Sequence, residues 1–376
     1  MSLDPLRLLP AAAGLVGRVP EPVVDRVVGA VGTVVGSLPS ERTRRIAAHT
    51  ARLRPDLTES QLRRAVRANM RGYLRYFAEA LTLGRLTEQQ IIARFRAVHR
   101  EHVQPTFDAG RPVVAALLHA GNWDLAGAWS CLAMAPVLTV AERLRPDALH
   151  EQFVRLRTDL GMTILVDDGS AVLPRLMDEA PRRPHLVPLL ADRDLGRTGV
   201  EVTVADRPML VAAGPAALAL ALDVPLVVIT IRHERLTGER ARRAGSRWGI
   251  VTEFSEPVTA GDLAPGLDAA APGTDGSAGA GGPVHDGDGA AGAPGGAAAH
   301  AAGHAAAPRR PRPVDRTDVV ALTRAWVDVA EPFLRRHPEQ WHMLQRVFLE
   351  DLDAARLAAG RAREAEGSGV AGSGTG

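Results

Sequence analysis

Lysine is absent from the 376 residues, so all 45 cationic side chains are arginine. Heavy Ala, Gly, Arg and Pro usage without Lys is what a GC-rich coding sequence produces, and nucleotide bias is its first cause. A chemical consequence remains. Arginine stays charged and forks onto phosphate oxygens, so an arginine-only surface suits phosphate-bearing partners. Cysteine occurs once, as Cys131. That excludes a disulfide within the chain and a zinc site built on several cysteines. Aromatic residues are only 4% against 46% hydrophobic, so the core is expected to be Ala, Val and Leu. No run of 18 or more apolar residues occurs, and no transmembrane helix is expected. Asp4 comes early and no clean apolar run with a cleavage site follows, so no secretory leader is expected. The arginines are dispersed, interleaved with acids and backed by few aromatics, which argues against a nucleic-acid surface.

Residues 6–39 are apolar, broken by Arg7, Arg18, Asp25 and Arg26, with Pro20 and Pro22 dividing them. They suit either a pair of core helices or a helix in the membrane interface with snorkelling arginines. Residues 40–100 read as helices, with Ser40 at a helix start and a capping box at Thr58-Glu-Ser-Gln61. From residue 111 the period changes. Short apolar runs at 112–118, 137–141, 162–166, 185–190, 199–204, 224–231 and 248–254 read as strands. Helices are expected between them at 124–134, 146–160, 169–179 and from Gly214. The alternation predicts an α/β sandwich with a central, mostly parallel sheet flanked by helices. Five segments follow: a helical, membrane-associating N-terminal region (1–100), an α/β core (101–259), a disordered Ala/Gly/Pro-rich insertion (260–312), a C-terminal helical part of the core (313–360) and a flexible tail (361–376). The long last helix is expected from Thr317 through Pro338-Glu-Gln-Trp-His342 to about Ala359. In the insertion, His285, His300 and His304 fall irregularly in low-complexity sequence, so no metal site is expected.

Chemistry concentrates at His119-Ala-Gly-Asn-Trp-Asp124. An apolar strand ends at Leu118, which puts His119 at the strand's C-terminal edge, where ligands collect in open α/β sheets. Gly121 and Asn122 permit a tight turn. The five-residue step to Asp124 lets the carboxylate fold back onto the imidazole, fix its tautomer and leave the other ring nitrogen to take a proton from an alcohol. Such a pair serves ester formation from a thioester and needs no protein nucleophile. Ser130 and Cys131 lack a nucleophile-elbow context and are read as packing residues. A non-catalytic lipid-binding protein with this fold is the rival reading; it has no need of a base and its orienter.

This segment, with Leu125-Ala-Gly-Ala-Trp129 behind it, resembles the phosphatidylinositol mannoside acyltransferases of actinobacteria, within the superfamily of lipid A lauroyl and myristoyl acyltransferases. Three more segments resemble that family in order: Ala141-Glu-Arg-Leu-Arg-Pro146 leading to Phe153-Val-Arg-Leu-Arg157, then Leu190-Ala-Asp-Arg-Asp-Leu195, then Pro338-Glu-Gln-Trp-His-Met-Leu344. Asp rather than Glu at position 124 favours the mannoside branch. The resemblance spans roughly 10–350 apart from the insertion. It implies His119 as general base on a mannose 6-hydroxyl, with Asp124 orienting it. It implies Asp192 as the second acidic catalytic residue, with Asp194 the near alternative and Glu201 third. Arg157 would bind polar substrate or steady developing charge, Arg193 would contact phosphate, and Asn122 and Trp123 would join the substrate contacts. Trp123, Trp129 and the 209–222 segment would line an acyl groove. The implied donor is a long-chain acyl-CoA, palmitoyl by family habit, with no further cofactor. The implied acceptor is a mannosylated phosphatidylinositol, or by the alternative another glycolipid or a lysophospholipid. The expected location is peripheral, on the cytoplasmic face of the cell membrane.

Overall fold

Helices open the described chain: α1 (Glu21–Ser37), α2 (Glu41–Leu53), α3 (Glu59–Thr82) and α4 (Glu88–Arg94). The last three begin on capping boxes at Ser40, Thr58 and Thr87, where a hydroxyl takes the third amide and the third side chain returns to the cap amide. Two otherwise orphaned donors are satisfied at each start. α1 lies close along α3, because a Cβ on Gly32 or Gly36 would come within 2.7 or 2.8 Å of the Arg71 or Arg67 Cα.

The computed structural model describes residues 19–142, 147–167, 172–194, 199–258 and 312–352. The expected tail, nearly all of the expected insertion, Arg143–Pro146 and Leu195 lie outside the described residues. After α4 the order is β1 (Phe95–Val98), α5 (Gln104–Asp108), β2 (Val113–Leu117), α6 (Trp123–Ala133), β3 (Leu138–Glu142), α7 (Asp147–Asp159), β4 (Thr163–Asp167), α8 (Val172–Glu179), β5 (Leu186–Leu190), β6 (Val200–Val204), β7 (Arg207–Val211), α9 (Gly214–Leu222), β8 (Leu226–Arg235), α10 (Gly238–Ala244), β9 (Trp248–Phe254) and α11 (Arg316–Arg336).

The central sheet runs β1-β9-β8-β2-β5. β2, β5 and β8 are mutually parallel, while β9 turns back against β8 and carries β1 parallel to itself. Three of its four pairings are parallel, as expected. β2 is buried along its whole length, because both faces are covered. Val114, Ala116 and Leu118 pack into one apolar cluster with α9 and α11. Val113, Ala115 and Leu117 pack into the other with α6. The seven expected strands do not form one sheet. β3 and β4 make a separate parallel pair, tied to β5 by a single bridge between Val137 and Leu186. β6 and β7 make an antiparallel hairpin.

Two strands were not expected. β1 lies in a stretch read as helical, and β7 completes the hairpin. The last helix also ends earlier than expected. α11 stops at Arg336, a short turn covers Pro338–Gln340, and the chain then extends so that Trp341 bridges Ala120. Pro338 disfavours helical backbone at His337, whose φ of −131° and ψ of 51° end the helix.

Among the described residues no single helix is long and apolar enough to cross a membrane. α1 and α2 together have the length and composition, but they meet at 83°.

Candidate active site

The register of β2 on β5 pairs Leu117 with Leu190. Two residues further along both strands, His119 stands beside Asp192. The His119 amide donates to Asp192 Oδ2 at 2.8 Å, and the ring Nδ1 meets Asp192 Oδ1 at 2.5 Å. The Trp341 indole N–H donates to Asp192 Oδ2 at 2.6 Å. Asp192 is 1% exposed. Burial alone would raise its pKa; the facing His119 and the N–H donors outweigh that and hold it below the ordinary carboxylate range. A charged acceptor on Nδ1 fixes the N–H there and leaves the Nε2 lone pair outward. Among the described residues no group hydrogen-bonds Nε2, and the His119 side chain is 22% exposed.

The turn after His119 depends on Gly121. Its φ is +62°, and a Cβ there would come within 2.6–2.8 Å of Ile231, including its backbone carbonyl. Glycine alone meets both demands without strain. The C-terminal segment holds the other side of the turn, with the His342 amide donating to the His119 carbonyl at 2.7 Å. Asn69 on α3 anchors that segment through the Trp341 carbonyl at 2.7 Å.

Asp124 is not the carboxylate on the His119 ring. It sits in the first turn of α6, 1% exposed, and points toward other helices. Tyr76 of α3 donates to its Oδ2 at 2.8 Å, and Arg157 of α7 donates from Nε to its Oδ1 at 2.6 Å and from Nη2 to its Oδ2 at 3.4 Å. The α6 N-terminus also favours a negative charge there. Burial and the Asp124 charge push the Tyr76 hydroxyl well above its usual range. Burial opposes the Arg157 charge, but Asp124 and Tyr76 more than restore it, so its pKa is raised.

Asn122 is turned into the protein. Its Oδ1 caps α6 by accepting the Leu125 amide at 3.0 Å, and its Nδ2 donates to Glu79 at 2.7 Å. Arg193 reaches Glu142 at 3.1 Å. Asp194 is buried, but the carboxylate on the imidazole is that of Asp192. Glu201 lies on the exposed face of β6, paired across the hairpin with Leu210, where alternation turns it away from the core. Trp123 is at the site: its ring is 5.9 Å from His119, edge-on, and 4.2 Å from Tyr76.

An apolar cavity of about 80 Å³ adjoins this cluster. Trp123, Asp124 and Arg157 line it together with Trp129, Met162 and Ile231. The 209–222 segment, expected to line it, packs on the opposite face of the sheet instead. The Ser130 hydroxyl is spent on the Ala135 carbonyl at 2.9 Å, and burial raises the Cys131 thiol pKa. Neither side chain has an activating base among these contacts.

Tyr76, Glu79, Trp341 and His233 are parts of this constellation that residue patterning did not assign. Glu79 accepts from Asn122 and meets His233 Nε2 at 3.2 Å. Burial would raise its pKa, but His233, Asn122 and Arg75 lower it below the usual range. Among the described residues the grouping close enough to share a metal ion is His99, Glu101 and His102. It follows β1 at one edge of the sheet, three strands away from β2 and His119.

A histidine held by a buried carboxylate beside an apolar cavity, with no activated nucleophile among the described residues, suits acyl transfer. Residues 8–241, well over half of the chain, match the bacterial lipid A biosynthesis acyltransferase family. The chain belongs to that family and is an acyltransferase. Its relatives include proteins named phosphatidylinositol mannoside acyltransferase. One is from Mycolicibacterium smegmatis, 28% identical over 299 residues, covering 78% of this chain and 75% of that protein. Two more, from Mycobacterium tuberculosis strains H37Rv and CDC 1551, are 29% identical over 299 residues, covering 79% of this chain and 74% of theirs.

Proposed function

We propose that the protein transfers a long-chain acyl group, palmitoyl in the first instance, from acyl-CoA to a mannose 6-hydroxyl of a mannosylated phosphatidylinositol. The observation that carries this reading is the 2.5 Å contact between His119 Nδ1 and the buried Asp192. With Nδ1–H fixed, Nε2 takes the proton as the hydroxyl oxygen attacks the thioester carbonyl. Asp192 stabilises the imidazolium that forms. Collapse of the tetrahedral intermediate breaks the C–S bond, and the proton on Nε2 passes to the departing thiolate. No bond to the protein forms. The apolar cavity takes the acyl chain, and Arg157, clamped by Asp124, places positive charge on the wall where the thioester oxygen gains charge. The acceptor rests on the names of the relatives.

The reaction is proposed to occur at the cytoplasmic face of the membrane, with the protein bound peripherally. Supporting this, Val23, Val27, Val31, Val34 and Leu38 are exposed on and just beyond α1 at helical spacing, with Arg26 exposed near them. Such a stripe suits the interfacial zone of a bilayer.

The test is acceptor profiling of the purified protein with labelled palmitoyl-CoA and a mixed lipid extract, products identified by mass spectrometry. Acylated phosphatidylinositol mannoside is the expected product. Transfer to a lysophospholipid and not to the mannoside would overturn the acceptor.

A further inference from the structure

A second cavity, of about 180 Å³, lies among α1, α3, the end of α4 and the start of β9. Its chemistry is unlike that of the acyl cavity, because six charged side chains, three of each sign, line it. Three are carboxylates, and each spends one oxygen within the protein. Glu21 Oε1 accepts from Ser246 at 2.6 Å. Asp25 Oδ1 accepts from Arg75 at 2.9 Å and from the Trp248 indole at 2.8 Å. Glu79 Oε2 is held by Asn122 and His233. Among the described residues no donor reaches Glu21 Oε2, Asp25 Oδ2 or Glu79 Oε1.

Arg94 stands on the same cavity and is 6% exposed. Its Nε donates to the Ala244 carbonyl at 3.0 Å. No acceptor among the described residues takes its terminal nitrogens. Burial lowers its pKa, and Glu79 and Glu21 oppose that shift by their charge without touching it. A nearly buried guanidinium and three spare carboxylate oxygens therefore surround one empty volume.

Charge selects among ligands. A phosphate would meet three carboxylates, and a simple cation would meet Arg75, Arg85 and Arg94. A neutral ring bearing several hydroxyls fits both sets, since each hydroxyl donates to a carboxylate oxygen and accepts from a guanidinium. We propose that this cavity binds the hydroxyl-rich ring of a sugar or cyclitol head group. The ligand class follows from the cavity's own donors and acceptors; its link to a glycolipid rests on the proposed function. Through Glu79 and Asn122 the cavity backs onto the His119 turn, and α1, which forms one wall, carries the exposed valine stripe.

The test uses the full chain carrying His119→Ala, so that binding is read without transfer. Methyl α-D-mannoside and myo-inositol are added separately and followed by saturation-transfer NMR and calorimetry. At least one ring should bind, and inorganic phosphate should not displace it. Adding Arg94→Gln or Glu21→Gln should weaken binding about tenfold or more, the loss expected for a hydrogen bond to a charged group. Thermal melting monitors the fold. Glu21→Gln, in the first turn of α1, keeps the test valid if Arg94→Gln does not fold. No binding of either ring, undiminished binding in Glu21→Gln, or displacement by phosphate would overturn the proposal. Ring binding here without acyl transfer by the wild type would sink the proposed function and leave this site standing.

Discussion

Asp192 accepts from the His119 ring, the His119 amide and the Trp341 indole. Its charge is therefore fixed before any substrate arrives. Asp192→Asn preserves the shape but offers an amide that can donate to Nδ1, moving the ring proton to Nε2 and disabling the base. The expected result is a kcat reduced about 10²–10⁴-fold, with KM for acyl-CoA little changed because the apolar cavity is untouched. A wild-type kcat would show that Asp192 does not set the tautomer. At this scale the sequence was legible in part. His119 stood out by type and position, and Asp192 and Arg157 by resemblance to the family's motifs. Which carboxylate holds the imidazole did not, because Asp124 is five residues away and Asp192 is 73. The β2–β5 register decides the matter, and no local spacing reports it. Tyr76 gave no signal at all: it is one of three aromatics in an arginine-rich helix, and only tertiary packing brings it to Asp124.

Helices and strands were more legible than contacts. The apolar runs that became β2, β5 and β8 are buried from both sides, which is why they read as continuous rather than alternating. β1 and β7 escaped because four- or five-residue strands containing Arg96 or Pro208 carry too little periodicity. α1 presents its own prediction. Gly32 and Gly36 press against α3 while Val23, Val27, Val31 and Val34 face outward. Val27→Asp with Val34→Asp should leave the fold unchanged, since both side chains are exposed, and should reduce co-sedimentation with anionic phospholipid vesicles severalfold. Equal vesicle binding by variant and wild type would remove α1 from the membrane contact.

Across the molecule, the two ends of the described chain meet behind the site. His49 of α2 contacts the Met343 carbonyl at 3.1 Å, and Asn69 of α3 holds Trp341. This seam has a pH signature. Burial and the nearby Arg52 lower the His49 pKa to about 4. Burial, then repulsion from His233 and His119, lowers that of His342 to about 3. Above the ordinary value of 6.5 neither the folded nor the unfolded chain protonates these rings. Below it only the unfolded chain does, until the folded values are reached. Stability should therefore fall as pH drops below about 6.5, by up to ~1.4 kcal/mol per unit for each histidine. Chemical denaturation across that range should show the slope, and His49→Gln and His342→Gln should each flatten it. An unchanged slope in both would contradict the assignment. The central proposal is direct transfer at His119, and a single-turnover reaction with labelled palmitoyl-CoA and phosphatidylinositol mannoside tests it most directly. Direct transfer predicts CoA release and acylated mannoside in step, no acylated protein by intact mass, and loss of both products in a folded His119→Ala variant. Near-normal turnover by that variant, or a labelled protein that passes its acyl group to the mannoside, would contradict it.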